Sequence, residues 1–178
     1  MSSGTAMGIS LTTITTDAQC PLGFIHTEPA NQDNAGERQF IYVGISYAGA
    51  GSANVRVGDA FNKLETSAAA WQIYRNLVLV LAGTDAHANS VVGLSQQVWD
   101  WAVHYAAPAA ADELFGFVQC KGIGQYVDDN SAVAGTGLIP GATAGELGTA
   151  AGTETGCATA ITNGAIHTEQ TAMIHCIG

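Results

Sequence analysis

The sequence predicts a mainly β domain, and three observations support this prediction. Segments rich in aromatic and β-branched residues recur along the chain, as expected for strands. Clusters of Gly, Asn, Asp, Pro and Ser separate these segments and are typical of turns. One segment, 105–114, has the composition of a helix, and the segment 71–83 could open as a helix after LETSAAA. We therefore expect a small antiparallel β-barrel, β-tulip-like or sandwich domain with one or two short helical insertions.

Seven segments are predicted to be strands because they are short and rich in β-branched and aromatic side chains. In chain order they are ISLTTI (9–14), RQFIYVGISY (38–47), WQIYRNLVLVLAG (71–83), SVVGLSQ (90–96), FGFVQCKGIGQYV (115–127), GCATAITNG (156–164) and TAMIHCIG (171–178). The densest signal lies at 115–127, where glycines allow a sharp bend or the close approach of another backbone. The predicted turns lie at 28–36, 48–54, 83–90, 128–131 and 140–156.

The predicted helix is YAAPAAADEL, residues 105–114. Proline has no backbone N–H and is tolerated only in the first turn of a helix, so this helix would begin at Pro108. The preceding WDWAVHY is compatible with a strand or a helix, because its periodicity does not separate the two.

The length of 178 residues fits one large domain or two small lobes that share a core. We place this domain at residues 21–178, after an N-terminal arm at 1–20. The arm has neither a cationic region nor an apolar run, so no signal peptide is expected. No apolar stretch reaches membrane-spanning length, and we expect the chain to fold in a cytoplasm without a membrane partner.

Two parts of the sequence resemble each other in their order of features. Residues 42–61 and 117–138 each contain an aromatic-Val strand, a polar turn with glycine, a short apolar step and a further glycine. Two related hairpin halves, 21–97 and 98–178, would produce this similarity. Chance similarity between two glycine-rich hairpins is the alternative.

The charge balance argues against nucleic-acid binding. The net charge is −10, and Lys and Arg together number five. A nucleic-acid groove needs clustered cations to neutralise phosphates. The four cysteines, Cys20, Cys120, Cys157 and Cys176, form no C-x-x-C motif, and we interpret them as buried, reduced thiols.

No catalytic or metal-binding motif is complete in the sequence. GISYA around Ser46 approaches a nucleophile elbow, but it ends in Ala and a Gly-Ala-Gly turn follows, where the motif requires a helix. His167 and His175 are expected to face each other on paired strands, in a structural role, because no third ligand lies nearby in the sequence. Asp128 and Asp129 begin a solvated turn that lacks EF-hand spacing. We predict a protein without catalytic residues, cofactor or metal.

The tryptophans suggest a contact surface. Trp71 is predicted to pack in the core. Trp99 and Trp101 share one face if WDW is a strand, and we expect them to form an exposed contact patch. Only 11% of the residues are charged, against about a quarter in ordinary globular proteins. Gly, Ala and Thr lose little side-chain entropy on burial, so this composition favours an assembly component over a free enzyme.

The C-terminal half has a recognisable order of parts. They are the strand GFVQ (116–119), a hairpin, the step GTGL (135–138), a Gly-rich stretch that ends in CATAI (157–161), and the last strand IHCI (174–177). PLGFIHTEP and RQFIYVGISYAGAGSANVRVGDAF in the first half fit the same pattern. With these parts, residues 20–178 resemble the decoration, or cement, proteins of tailed-bacteriophage heads.

This resemblance implies a structural protein of the virion, placed on the outer capsid surface in symmetric clusters. Its partners would be the major capsid protein and further copies of itself, with a trimer favoured over a dimer. The contact surfaces would be the turn at Asp128 and Asp129 and the low-charge loops, among them the turn with Gly49 and Gly51.

A glycan-binding β-sandwich module of a virion fibre or surface protein is the alternative function. It requires exposed aromatic rings as a sugar platform, and Trp99 and Trp101 are the candidates.

Overall fold

The structure is a computed structural model that describes residues 5–6, 8–30, 36–63, 74–75, 77–79, 91–150 and 156–176. Within these residues the chain is mainly β, and the predicted fold class is confirmed. Ten strands form a curled antiparallel sheet with the shape of a half-barrel, and β1 and β2 form a separate two-stranded sheet. The strands are β1 (Thr5–Ala6), β2 (Ile9–Ser10), β3 (Ile25–Glu28), β4 (Arg38–Ser46), β5 (Ala60–Asn62), β6 (Val78–Leu79), β7 (Val91–Leu94), β8 (Glu113–Val127), β9 (Gly137–Pro140), β10 (Leu147–Thr149), β11 (Ala158–Ala160) and β12 (Glu169–His175), and the helix is α1 (Trp101–His104).

The 15-residue strand β8 connects the two halves of the sheet. Its first part, from Glu113 to Lys121, pairs with β4. Its second part, from Lys121 to Val127, pairs with β12. The strands follow the order β10-β9-β11-β12-β8-β7-β5-β6, with β4 and then β3 attached to β8 outside this path.

A bend at Gly122 separates the two parts of β8. Gly122 has a φ of +94°, and a Cβ atom there would lie 2.5 Å from the backbone oxygen of Glu37. Only glycine adopts this conformation without strain and admits a backbone this close. The register between β4 and β8 also shifts between Gln39 and Phe40. These two irregularities increase the twist and help the sheet to curl.

The buried side chains form three clusters. The first contains Trp99, Trp101 and Phe61 and lies against β4 and β8. The second lies between the C-terminal strands and includes Leu138 and Leu147. The third contains Ala6, Leu11, Cys20, Phe40, Tyr42, Phe115 and Phe117.

The described part of the predicted N-terminal arm packs onto the sheet. Leu11 and Cys20 are buried in the third cluster. The backbone N–H of Thr15 donates to Phe115 O at 3.0 Å, and the N–H of Phe115 donates to Thr15 O at 2.8 Å. Residues from this segment therefore complete the apolar face of β4 and β8.

Most of the longer predicted strands are present in the structure. The segments 38–47, 90–96 and 156–164 contain β4, β7 and β11, and the segments 115–127 and 171–178 overlap β8 and β12, which each begin two residues earlier. The segment 9–14 contains only the two residues of β2. Of the segment 71–83, Val78–Leu79 forms β6; Trp71, predicted to be in the core, lies outside the described residues.

Five short strands, β1, β3, β5, β9 and β10, were not predicted. The strand β10 lies inside the segment 140–156, which was predicted to be a turn, so that prediction was wrong for Leu147–Thr149. This strand has three residues, two of them Gly and Thr, and its extended shape depends on pairing with β9. Strand formation in such short segments is set by neighbouring strands more than by local propensity.

The helix prediction for 105–114 was wrong. The helix α1 lies earlier, at Trp101–His104, where the Asp100 side chain accepts from Ala102 N at 3.0 Å and caps its first turn. Tyr105 is already extended, and its hydroxyl donates to Glu113 O at 2.8 Å. The last residues of the predicted helix belong to β8 because pairing with β4 supplies their hydrogen bonds.

Two glycines with positive φ allow the stability cost of steric crowding to be measured separately from the cost of backbone strain. Gly58 has a φ of +86°, and a Cβ there would lie 2.6 Å from the backbone carbon of Tyr126, whereas Gly135 has a φ of +89° and no atom within 4 Å of that position. Both Ala substitutions carry the left-handed cost of about 1–2 kcal/mol. Gly58→Ala should lose about 1–3 kcal/mol more than Gly135→Ala in denaturant unfolding, because the backbone must move. Equal losses would contradict the close approach.

The Cys120 thiol should make the free energy of unfolding depend on pH in the alkaline range. Burial raises its pKa from 9.0 to about 11. Between these values the unfolded chain releases the proton and the folded chain retains it. The free energy of unfolding therefore falls as pH rises, by at most about 1.4 kcal/mol per pH unit from this group. In urea unfolding between pH 9 and 11, Cys120→Ala should show a shallower decline.

Tyr126 also titrates at alkaline pH, and it is present in both the parent protein and the Cys120→Ala variant. Burial raises its pKa to about 12, so its contribution is the same in the parent and in Cys120→Ala. Parallel stability curves for the two proteins would show that Cys120 does not cause the decline.

Candidate functional site

Charged and imidazole side chains from four segments meet at one place in the fold. Arg56 and Asp59 lie in the turn before β5, Asp129 follows β8, Glu146 precedes β10, and His167 precedes β12. We call these five residues the charged cluster. Each lies just outside a strand, so the pairing of the sheet brings them together.

Arg56 joins the two most buried carboxylates of the cluster. Its Nε and Nη2 donate to Asp59 Oδ1 at 3.1 and 2.8 Å, and its Nη1 donates to Glu146 Oε1 at 3.0 Å. The two carboxylate side chains are each 1% exposed, whereas the Arg56 side chain is 45% exposed. A buried carboxylate without a compensating charge is costly, and Arg56 supplies this charge to both.

The two aspartates of the cluster have pKa shifts of opposite sign. Burial raises the pKa of Asp59, and the hydrogen bonds and charge of Arg56 oppose this shift. Burial also acts to raise the pKa of Asp129, but the hydrogen bonds from Ala142 and Thr143 outweigh it and lower that pKa. Backbone N–H groups of those residues donate to Asp129 at 2.9 and 3.0 Å. Asp129 is therefore held as a carboxylate.

His167 connects the cluster to solvent. Its Nδ1 lies 2.7 Å from Glu146 Oε2, and its side chain is 57% exposed. One donor atom each from Asp129, Glu146 and His167 lies within 4.8 Å of the others. No further ligand of this group lies close to His167 in the sequence, whereas the fold brings Asp129 and Glu146 to it from distant segments.

The predicted pairing of His167 with His175 was wrong. His175 is the last residue of β12, whereas His167 lies in the turn before this strand. The residues from Glu169 to Ile174, between the two histidines, are part of β12 and pair with β8. The two histidines therefore lie near opposite ends of one strand, and the Nε2 atom of the His175 ring lies 3.2 Å from Thr159 Oγ1.

The prediction of a solvated turn at Asp128 was wrong. The residue is fully buried, and its side chain accepts from the backbone N–H groups of Asn130 at 3.1 Å and Ala132 at 2.7 Å. The following residue, Asp129, is partly exposed. Asp128 therefore organises the turn from its interior and is not available as a surface contact.

The predicted exposed patch of Trp99 and Trp101 was also wrong, because both side chains are buried. Trp99 Nε1 donates to Ser95 Oγ at 2.9 Å. Trp101 packs edge-on against Tyr47, with the ring centroids 5.1 Å apart. The two rings belong to the first core cluster, where Val55 pairs with Trp99 in a β-bridge. Because both rings are buried, neither is available as a surface platform.

Gly49 and Gly51, the other predicted contact residues, lie in the turn after β4. Gly51 is exposed and Gly49 is partly exposed. The N–H of Gly49 donates to Ser46 Oγ at 3.0 Å. This turn presents backbone and small side chains to solvent, and its role as a contact surface stays a prediction.

A separate cavity of about 660 Å³ lies beside the bend of β8. Its walls include Phe40, Phe117 and Gln119, and its titratable lining residues are Arg38 and Glu169. The buried Oε1 of Gln119 has no hydrogen-bond partner in the part of the chain that the structure describes. The cavity is lined by apolar and amide side chains, with few titratable groups.

Sequence reasoning did not identify Arg56, Asp59 or Glu146. Arg56 and Glu146 are separated by 90 residues, and neither position belongs to a recognisable motif. The local signal was limited to the Arg-x-x-Asp spacing across the turn at Gly58. Their association depends on the register of the sheet.

No helix in the described part of the chain has the length and hydrophobicity needed to cross a membrane. No protein-family model matches the chain, and no curated protein matches its sequence.

Arg56 and Arg75 provide a matched test of the charged cluster. Both side chains are 45% exposed, but the partners of Arg56 are 1% exposed and the partner of Arg75, Glu113, is 18% exposed. Arg56→Ala should lower the free energy of unfolding by about 2–3 kcal/mol, because it leaves buried carboxylates uncompensated. Arg75→Ala should cost at most about 1 kcal/mol. Equal costs in urea unfolding would show that Arg56 does not stabilise the fold in this way.

Proposed function

We propose that this protein decorates and stabilises the outer surface of a bacteriophage capsid through contacts with the shell and with further copies of itself. The observation that carries this proposal is an apolar surface formed by two neighbouring loops, residues 131–136 and 161–168. We call this surface the loop end. It holds three exposed aliphatic side chains, Val133, Ile161 and Ile166.

Hydrogen bonds join the two loops of the loop end. Gly164 N donates to Ala132 O at 2.7 Å, and Ala134 N donates to Asn163 Oδ1 at 2.9 Å. A surface whose backbone is already fixed loses little conformational entropy on binding. The loop end is therefore suited to a permanent contact.

The loop end is apolar and nearly free of charge. Val133, Ile166 and Ile161 are 59%, 51% and 42% exposed, and the two loops contain no Asp, Glu, Lys or Arg. Covering a half-exposed aliphatic side chain contributes about 1 kcal/mol, and symmetric assembly repeats this contribution in every copy. Exposed apolar residues grouped on one surface are typical of interaction sites.

The resemblance of residues 20–178 to capsid decoration proteins supports the same function. A lattice with three-fold positions offers a template for a trimer, and closed symmetry is the common outcome for copies of one chain. A dimer at two-fold positions is the competing arrangement. The net charge of −10 suits an outer face, away from packaged DNA.

The glycan-binding alternative is not proposed further. It was based on Trp99 and Trp101 as an exposed sugar platform, and both rings are buried.

Substitutions at the loop end test the proposal. Val133→Asp and Ile166→Asp should each weaken self-association or binding to capsid shells by more than tenfold, because an interface that buries a carboxylate loses well over about 1.4 kcal/mol. Analytical ultracentrifugation measures self-association, and co-sedimentation measures binding to heads assembled from the major capsid protein encoded with this chain.

The matched control is Val103→Asp. Val103 lies in α1 and is 74% exposed, so this substitution adds the same charge outside the loop end and should change neither measurement. Wild-type association and shell binding in both loop-end variants would overturn the proposed surface. Failure of the wild-type protein to delay DNA release from heated heads would overturn the function.

A further inference from the structure

We propose that Asp129, Glu146 and His167 form a binding site for a divalent transition-metal cation, with Zn²⁺ as the best match to the donor set. The argument for this site does not rest on the proposed capsid function, and His167 is the residue that the site shares with the loop end.

Three different chain segments each contribute one ligand to the proposed cation site. The donor atoms of Asp129, Glu146 and His167 all lie within 4.8 Å of one another. Zinc bonds of about 2.0–2.2 Å to nitrogen and oxygen place tetrahedral ligands roughly 3.3 Å apart. Small side-chain rotations close the remaining difference. His167 Nδ1 lies 2.7 Å from Glu146 Oε2, and a bound cation would take the place of a proton shared between these two atoms.

The local charge is an independent argument for a cation. Asp59, Asp129 and Glu146 carry three negative charges, and Arg56 carries one positive charge. The formal charges of these four side chains sum to −2, because one guanidinium balances one of the three carboxylates. A divalent cation would balance this excess.

The ligands are already oriented by other groups. Arg56 binds Glu146 through Oε1, which leaves Oε2 directed to His167. The two Asp129 oxygens each accept one backbone N–H, and a carboxylate oxygen keeps a second lone pair for a cation. Outer contacts of this kind fix ligand orientation in metal sites.

The donor set indicates the class of metal. One imidazole nitrogen and two carboxylate oxygens suit zinc and its transition-metal neighbours, whereas magnesium and calcium prefer sites made only of oxygen. The exposure of His167 leaves an open side, where water completes the coordination.

The test measures zinc binding by the tag-free, chelator-treated full chain. Isothermal titration calorimetry and thermal unfolding are the two readouts. At a zinc concentration about a hundredfold above Kd, the melting temperature should rise by about 5–10 °C, and magnesium at the same concentration should not reproduce this rise. His167→Ala and Asp129→Asn should each weaken zinc binding by more than about tenfold.

Two controls separate this site from other ligands of the chain. His175→Ala removes a histidine from the far end of β12 and should leave zinc binding unchanged. Cobalt, used as a spectroscopic substitute for zinc, should show no thiolate charge-transfer absorption, because no cysteine belongs to the site. Absence of zinc binding, equal binding by His167→Ala, or a thiolate signal would each overturn the proposal.

Discussion

The bend of β8 at Gly122 is the constraint on which the rest of the structure depends. Before the bend the strand pairs with β4, and after it with β12, so one strand has to serve two parts of a curled sheet. The curvature brings the end of β8 back to the turn before β5, where Val127 N donates to Gly58 O at 3.3 Å. This contact places Asp129 beside the turn that carries Arg56 and Asp59. A straight β8 would separate these segments, because a flat strand cannot approach its own sheet again.

The few cations of the chain stabilise the meeting points of its strands. Arg56 joins the turn before β5 to Glu146. Arg38 pairs with Glu28 across β3 and β4, and Lys121 pairs with Glu37 near the bend of β8. These positive charges are paired with carboxylates of the same chain, whereas the excess acidic residues set its net charge of −10. The loop end carries no Asp, Glu, Lys or Arg.

The sequence predicted the fold class and the long strands but not the site, for physical reasons that particular residues illustrate. Aromatic and β-branched runs such as RQFIYVGISY identify strands because the signal is local. Short strands such as Leu147–Thr149 have no local signal and exist through pairing. The pattern of WDW was compatible with an exposed strand face, but hydrogen bonding to Ser95 and stacking on Tyr105 hold both rings inside. In the charged cluster Arg56 contacts a residue 90 positions away in the chain. A local sequence pattern does not reveal a contact between positions this far apart.

Asp128 links the charged cluster to the loop end. Its side chain accepts from Ala132 N in one loop, its backbone oxygen accepts from His167 N at 2.6 Å, and its own N–H donates to Thr168 O at 3.1 Å. The next residue, Asp129, belongs to the proposed cation site. A cation held by Asp129 and His167 would therefore fix both flanks of the Asp128 turn, and through it the two loops that carry Val133 and Ile166. Because an interface gains affinity when its surface is ordered before binding, the charged cluster and the apolar loop end would act together: the first sets the position of the second.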